Sequence, residues 1–225
     1  NDSDKYFAQA AVTESYYNRY AEGHRWGAFW AVGLGWDISK EKFMEQVGWI
    51  DQLKLRATYG HTGNGIDNAG YYSYMKRYTT DGGYWYLNGT SGSNGGSVSE
   101  VTPLANSLLT WEKGKKVNVG IDVALLKNHL TFSADYYNDN YYDMLQSRGK
   151  SIQPIGITYP SANIGKARYS GLELDLSWKH HIGKLNYYAS ANWSLEQTKR
   201  IFMDEQYVPY NYMRITCESH FRILK

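Results

Sequence analysis

The sequence predicts an all-β chain: an antiparallel, up-and-down transmembrane β-barrel segment that supplies about seven to nine strands to a larger barrel. Three observations lead there. Residues 26–36 alternate without an error, with Trp26, Ala28, Trp30, Val32, Leu34 and Trp36 apolar and Gly27, Phe29, Ala31, Gly33 and Gly35 mostly small. The same alternation recurs along the chain with aromatic residues at its ends, as expected where one face of a strand meets lipid and the other meets water. The connections between these segments alternate between short and long, which fits brief periplasmic turns and extended outer loops.

The alternating segments come in order. Residues 6–17 place Tyr6, Ala8, Ala10 and Val12 on one face and Gln9, Thr13 and Ser15 on the other. Residues 51–62 place Leu53, Leu55, Ala57 and Tyr59 outward against Lys54, Arg56, Thr58 and Thr62, and the two charges require water. From 109 to 125 the outward set is Trp111, Val117, Val119, Ile121, Val123 and Leu125, opposed by Glu112, Lys116, Asn118 and Asp122. Leu130, Phe132, Ala134 and Tyr136 form the next stripe. Leu172, Leu174, Leu176 and Trp178 then oppose Glu173 and Asp175, and Leu185, Tyr187, Ala189, Ala191, Trp193 and Leu195 oppose Asn186, Ser190, Asn192 and Ser194. Trp26, Trp30, Trp36, Trp111, Trp178 and Trp193 are all outward by this parity, which assigns them to lipid or to the aromatic girdle.

Lys127-Asn128 and 180–183 are expected to be tight hairpins, and 38–50 a periplasmic connection with one helical turn through Glu41, Phe43 and Met44. Segments 18–25, 63–107 and 138–163 are the long outer loops. A connection as long as 63–107 usually has a function or is disordered, and Tyr71, Tyr72, Tyr74, Trp85 and Tyr86 argue against simple disorder.

Composition limits the function classes. The 225 residues include 22 Tyr, 8 Trp and 22 Gly, and the mean hydropathy of -0.59 looks soluble because only one face of each strand is apolar. The longest apolar run, 28–36, is far shorter than the ~18 residues a spanning helix needs. A net charge of +2 without a basic run argues against nucleic acid, and the single Cys217 offers neither a disulfide nor a metal-ligand pair. His180 and His181 are adjacent on a strand or turn, so they point apart and make a poor metal site. Glu173 and Asp175 share a face as a glycosidase pair might, yet in a barrel they are luminal carboxylates beside Tyr169 and Ser177. The Gly-rich 89–96 stretch lacks the Lys-Ser/Thr ending of a phosphate loop. No catalytic residue, metal or cofactor is therefore expected. The candidate ligand-binding residues are Tyr72, Tyr74, Trp85 and Tyr86, because aromatic faces stack on sugar C–H surfaces or peptide side chains while neighbouring Asn and Asp take the polar groups.

Certain motifs carry a family resemblance. The 26–36 run followed by Ile38-Ser39-Lys40-Glu41-Lys42-Phe43, then Leu53-Lys54-Leu55-Arg56-Ala57-Thr58-Tyr59-Gly60 and Thr62-Gly63-Asn64, resembles the barrel of SusC/RagA-type TonB-dependent transporters. Leu109-Thr110-Trp111-Glu112, Asn118-Val119-Gly120-Ile121-Asp122, Asp135-Tyr136-Tyr137, Asp143-Met144-Leu145, Asn163-Ile164-Gly165 and Ser170-Gly171-Leu172-Glu173 follow in the family's order. The resemblance implies an energised importer of glycans or oligopeptides in the outer membrane of Bacteroidetes. It also implies a SusD-like lipoprotein lid, the TonB complex acting through a plug region, and outer-membrane lipid around the wall. The plug has no counterpart in residues 1–225, which are expected to be part of the barrel alone. The family's barrel has about 22 strands, so most of them would lie elsewhere. Thr216-Cys217 stands where a Thr-Gly pair is expected, and the pattern fades after Met213. The alternation by itself also permits a soluble aromatic-rich β-sandwich that binds or hydrolyses carbohydrate.

Overall fold

The computed structural model describes residues 5–65, 70–82, 97–101, 103–148, 159–205, 207–214 and 219–224, with the backbone alone at 79–82, 97–100 and 219–224. Eight strands form one antiparallel sheet: β1 (Tyr6–Tyr16), β2 (Trp26–Asp37), β3 (Ile50–Asn64), β6 (Glu112–Leu125), β7 (Leu130–Gln146), β8 (Ala162–Ile182), β9 (Leu185–Phe202) and β10 (Ser219–Leu224). The first seven are the strands read from the alternation. β10 pairs with β9 and had no signal in the sequence. A separate hairpin, β4 (Tyr78–Gly82) with β5 (Ser97–Glu100), rises inside the 63–107 loop. Every strand of the main sheet pairs with the next one in sequence order, so the topology is up-and-down throughout.

Register fixes the two faces. One continuous row runs Leu34, Ala57, Val119, Tyr136, Leu172 and Leu195 across β2, β3, β6, β7, β8 and β9, and the adjacent same-face row runs Trp36, Leu55, Ile121, Ala134, Leu174 and Trp193. The opposite face carries Gly35, Arg56, Gly120, Asp135, Glu173 and Ser194 in one row and Gly33, Thr58, Asn118, Tyr137, Gly171 and Glu196 in the next. A shift by one residue in any pairing would mix these sets, so the sequence pattern and the hydrogen-bond ladder enforce the same register.

The height of the apolar face matches a bilayer. Ten residues separate Trp26 from Trp36, which at about 3.3 Å per residue and a tilt near 40° gives about 25 Å, the height of a barrel's apolar band. Tyr16 packs edge-on against Trp26 at one boundary and Tyr6 stacks with Trp36 at the other, with ring centroids 4.9 and 6.3 Å apart. On β6 the apolar stripe runs from Val117 to Leu125. Above it the same face turns polar, with Lys115 opposite Asn140 and the Arg168 Nε donating to Asn140 Oδ1 at 2.7 Å. Strands β7, β8 and β9, at 17, 21 and 18 residues, exceed the 9–11 or so that a tilted strand needs to cross. The excess stands as a wall in water.

This overhang changes the connections. The expected outer loop 138–163 shrinks to 147–161, because β7 and β8 continue with polar residues on both faces. The β6–β7 turn has four residues, 126–129, with Leu126, Lys127 and Asn128 all at positive φ, in place of the two-residue Lys127-Asn128 hairpin. Its backbone is held from outside, since Leu126 N donates to Trp49 O and Asn128 N to Asp51 Oδ2. His180 and His181 belong to β8, and the β8–β9 turn is Gly183-Lys184, with Gly183 at φ +61. The 38–50 connection contains two single 3-10 turns, Ile38–Lys40 and Lys42–Met44. Glu41 between them accepts from the Tyr6 hydroxyl (2.8 Å) and the Trp36 indole (3.2 Å), which ties the turn to the lower girdle.

Candidate functional site

The buried hydrophobic cluster found among the described residues lies at the upper rim of the sheet. Tyr20, Leu109 and Trp111 form its centre, with Tyr17, Phe29 and Leu145 packed against them. Trp111 is only 7% exposed, so its assignment to lipid or the girdle is wrong. The parity was right, but β6 begins at Glu112, and the chain ahead of it leaves the ladder and lays the indole across Tyr17, Tyr20 and Phe29, at centroid distances of 5.8, 5.9 and 5.4 Å. Glycine makes the room. A Cβ at Gly27 would lie 2.6 Å from the Phe29 ring and 2.9 Å from Trp111, and the Phe29 ring also occupies the place of a Cβ at Gly63.

Four of the sequence motifs meet beside this cluster. Asn163 Nδ2 donates to Thr110 O (2.7 Å) and to Asp143 O (2.8 Å), while its Oδ1 accepts from Thr110 N (3.1 Å). Glu112 Oε1 accepts from Leu145 N (2.9 Å), and its Oε2 accepts from Asn64 Nδ2 (3.2 Å). Asp143 sits at φ +54 where the β7–β8 register shifts, and the bulge presents its carbonyl to Asn163. Asn106 Nδ2 donates to Ser161 O at 2.8 Å. The closing end of the 63–107 loop and the closing end of 147–161 are thus fastened together on the strand tops. Motifs up to about a hundred residues apart turn out to be a single hydrogen-bonded joint.

Of the residues predicted to bind ligand, Tyr72 is 60% exposed and adopts φ +59, and Tyr74 is half-buried with its hydroxyl beside Arg25. Trp85 and Tyr86 lie outside the described residues, as does 89–96. The neighbouring Tyr71 accepts a hydrogen bond from Arg19 Nη2 at 2.8 Å, and the guanidinium lies 4.0 Å from its ring centroid. The start of the long loop is therefore anchored to the β1–β2 loop.

Sequence reasoning missed a groove of about 650 Å³ on the polar face below the joint. Tyr137, Tyr141, Tyr169, Lys116, Asp139 and Glu196 form its working surface, under a roof of Asn64, Glu112 and Met144. Tyr141 lies over Gly114 and Tyr137 over Gly171, where a Cβ would come within 3.1 and 2.5 Å of the respective side chains. Tyr141 meets Tyr169 edge-on at 5.5 Å. The alternation marked Lys116, Tyr169 and Glu173 as inward, but only the register could place residues of five strands around one hollow.

Deeper on the same face, Arg56 bridges Asp122 and Asp135. Its Nε donates to Asp122 Oδ2 (2.8 Å) and its Nη2 to Asp122 Oδ1 (3.1 Å) and Asp135 Oδ2 (2.6 Å). Gly120 leaves space for the fork, since a Cβ there would be 2.9 Å from Arg56 Cζ. At the opposite end of the sheet, His180 has a neighbour the sequence did not suggest: His129, whose Nδ1 is 3.4 Å from the His180 Nδ1. Among the described residues no group of three or more His, Cys, Asp or Glu could hold a metal ion.

A meandering sheet with one lipid-high apolar face, girdles at both its edges and a polar face carrying charges defines a piece of transmembrane β-barrel wall. Known proteins share it. Residues 1–213 match the family model described as TonB dependent receptor-like, beta-barrel, and the chain belongs to that family. It is 34% identical over 177 residues to TonB-dependent receptor P39 of Formosa agariphila, covering 78% of this chain and 16% of that protein. To TonB-dependent receptor SusC of Bacteroides thetaiotaomicron it is 31% identical over 173 residues, covering 74% and 16%. The solved RagAB peptide importer superposes with a TM-score of 0.74 in its "open-open" state (26% identity, 89% of this chain and 21% of that one) and 0.73 in its "closed-closed" state (25% identity, 97% and 24%). The chain thus spans about a sixth of the length of the curated relatives it matches. It is an outer-membrane β-barrel segment of the SusC/RagA type, and the soluble β-sandwich is set aside.

Proposed function

We propose that this chain is part of the barrel wall of an energised outer-membrane importer of glycans or oligopeptides, and that it performs no catalysis itself. The observation that carries the reading is the split of one register into a lipid-high apolar face and a charged polar face, which gives the wall an aqueous interior that a solute can follow. Similarity to SusC and to RagAB supports import, and RagAB is a peptide importer. Within the whole protein, a plug region supplied outside residues 1–225 would contact the TonB complex, and a SusD-like lipoprotein would cover the rim. Outer-membrane lipid would surround the apolar face, and no cofactor or nucleic acid has a part.

In this reading the 63–107 loop helps to capture the oligomeric nutrient, with Tyr72, Tyr74, Trp85 and Tyr86 as the contacting residues. Its length exceeds what joining two strands requires, and it combines aromatic platforms with adaptable Gly, Ser and Asn. In cells carrying the complete transporter, deletion of 84–96 is expected to abolish uptake while the barrel inserts at normal abundance. Unchanged uptake, or labelling of Ser93→Cys from the periplasmic side only, would refute the assignment.

A further inference from the structure

We propose that the hollow between the β6–β7 turn and the end of the β8–β9 hairpin binds a phosphoryl anion, as presented by an acidic phospholipid headgroup or by free phosphate. The hollow lies at the opposite end of the sheet from the 63–107 loop, and its ligand is independent of what the transporter imports.

Three features of the hollow combine. The first is its charge. It encloses about 490 Å³ between Lys127, His129, Lys179, His180, His181 and Tyr187, and no acidic residue lines it. Among the described residues neither Lys127 nor Lys179 forms a salt bridge. Asp51, which reaches the adjoining turn, accepts from Asn128 N at 2.9 Å. The second is the gathering of imidazoles. His180 and His181 are adjacent on β8 and were expected to point apart, yet their ring centroids are 5.7 Å apart, and the His129 ring lies 4.5 Å from the first and 6.4 Å from the second. His129 Nδ1 is 2.8 Å from Lys179 O, and a carbonyl only accepts, so that nitrogen carries hydrogen. His180 Nδ1, 3.4 Å away, is then an acceptor, which leaves the hydrogen of the neutral His180 ring on Nε2 as a donor. Trp178 and Tyr187 pack on the same ring at 6.3 and 5.7 Å and hold it in place. The third is depth. The register puts Trp178 in one row of the apolar face and His180 with Tyr187 in the next row toward the turn. Trp and Tyr at the end of an apolar stripe mark the headgroup level, and the exposed Lys127 and Lys179 belong at its watery side.

Charge and depth together decide the ligand class. A phosphoryl group brings negative charge and several acceptor oxygens, to which ammonium and imidazole N–H groups donate charge-assisted hydrogen bonds. Basic pockets at a membrane edge take acidic headgroups for the same reason. A zwitterionic headgroup would set its own cation against Lys127 and Lys179. A metal ion fits less well, because the His129 nitrogen nearest His180 already donates to a carbonyl and no group of three ligands is present among the described residues. An acidic lipid bound here would tie two neighbouring turns to one headgroup and fix the height of the wall in the membrane.

The test uses the full-length transporter, purified in detergent and titrated with an equimolar mixture of phosphatidylglycerol and phosphatidylcholine, with retained lipid counted by native mass spectrometry. Phosphatidylglycerol should be retained in preference. Lys127→Gln with Lys179→Gln should weaken it about tenfold or more and leave phosphatidylcholine unchanged. Lys184→Gln, at a lysine of the same hairpin that does not line the hollow, should change neither. Heat-modifiable migration on gels checks that each variant is folded, and the preference of the unaltered protein decides the matter even where a variant is not. Displacement of phosphatidylglycerol by inorganic phosphate would show that the anion alone is read, and failure of phosphate to displace it would assign the site to the lipid headgroup. Equal retention of the two lipids, an unchanged double variant, or an equal loss in Lys184→Gln would overturn the proposal. Displacement by tetraglutamate but not by phosphate would also overturn it, by giving the hollow to an acidic peptide.

Discussion

In the full-length protein, Leu55→Arg or Ile121→Arg lowers the stability of the folded barrel by about 2–4 kcal/mol where the residue lies near the bilayer midplane, whereas Thr58→Arg or Asn118→Arg costs far less. The four sites make a controlled comparison. Leu55 and Ile121 are register partners on the apolar face, and Thr58 and Asn118 are register partners on the polar face of the same two strands. An arginine at either of the first pair must carry its charge into hydrocarbon or distort the wall to reach water. At either of the second pair it enters an aqueous lumen that already accommodates Lys54 and Arg56. A urea titration of refolding into bilayers reads the difference, and equal penalties for the two pairs would mean that the register or its environment is misassigned.

Trp111→Ala costs about 3–5 kcal/mol, the range for removing a buried tryptophan, in the same titration. Trp26→Ala costs much less. Trp26 is 64% exposed at the upper girdle, so its truncation exchanges lipid and interface for lipid and interface. Trp111 fills the space between Tyr17, Tyr20 and Phe29, and its loss leaves a cavity at the point where three outer segments converge. Greater protease cleavage of the outer loops on intact cells should accompany the loss of stability, because Thr110 and Glu112 on either side hold the bases of those loops. A stability change no larger than that of Trp26→Ala would return Trp111 to the girdle.

The two substitutions also mark what could be read from the sequence. Leu55 and Ile121 were legible because lipid on one face and water on the other impose a period of two, and that signal is strongest where the bilayer is. Beyond the bilayer it vanishes: Asn138, Asn140 and Tyr142 alternate with Asp139 and Tyr141, polar or amphipathic on both sides, and β7 therefore continued undetected to Gln146. Trp111 shows the converse error, an apolar residue in the right phase at a position where the ladder has ended. The joint of Asn64, Glu112, Leu145 and Asn163 was visible as motifs but not as contacts, since nothing local states that a side-chain amide will bond a backbone more than fifty residues away. The groove was less legible still. It depends on Gly114 and Gly171, whose importance lies in the rings that lean over them.

The central claim is that one face of this sheet meets lipid and the other meets an aqueous lumen. Nitroxide labels at successive single cysteines from Leu53 to Thr58, introduced into the full-length transporter with Cys217 replaced, test it directly in reconstituted bilayers. Lys54→Cys, Arg56→Cys and Thr58→Cys should report access to a water-soluble nickel chelate, and Leu53→Cys, Leu55→Cys and Ala57→Cys access to dissolved oxygen, in strict alternation. Uniform access to the chelate along the strand, or alternation in the opposite phase, would contradict the account.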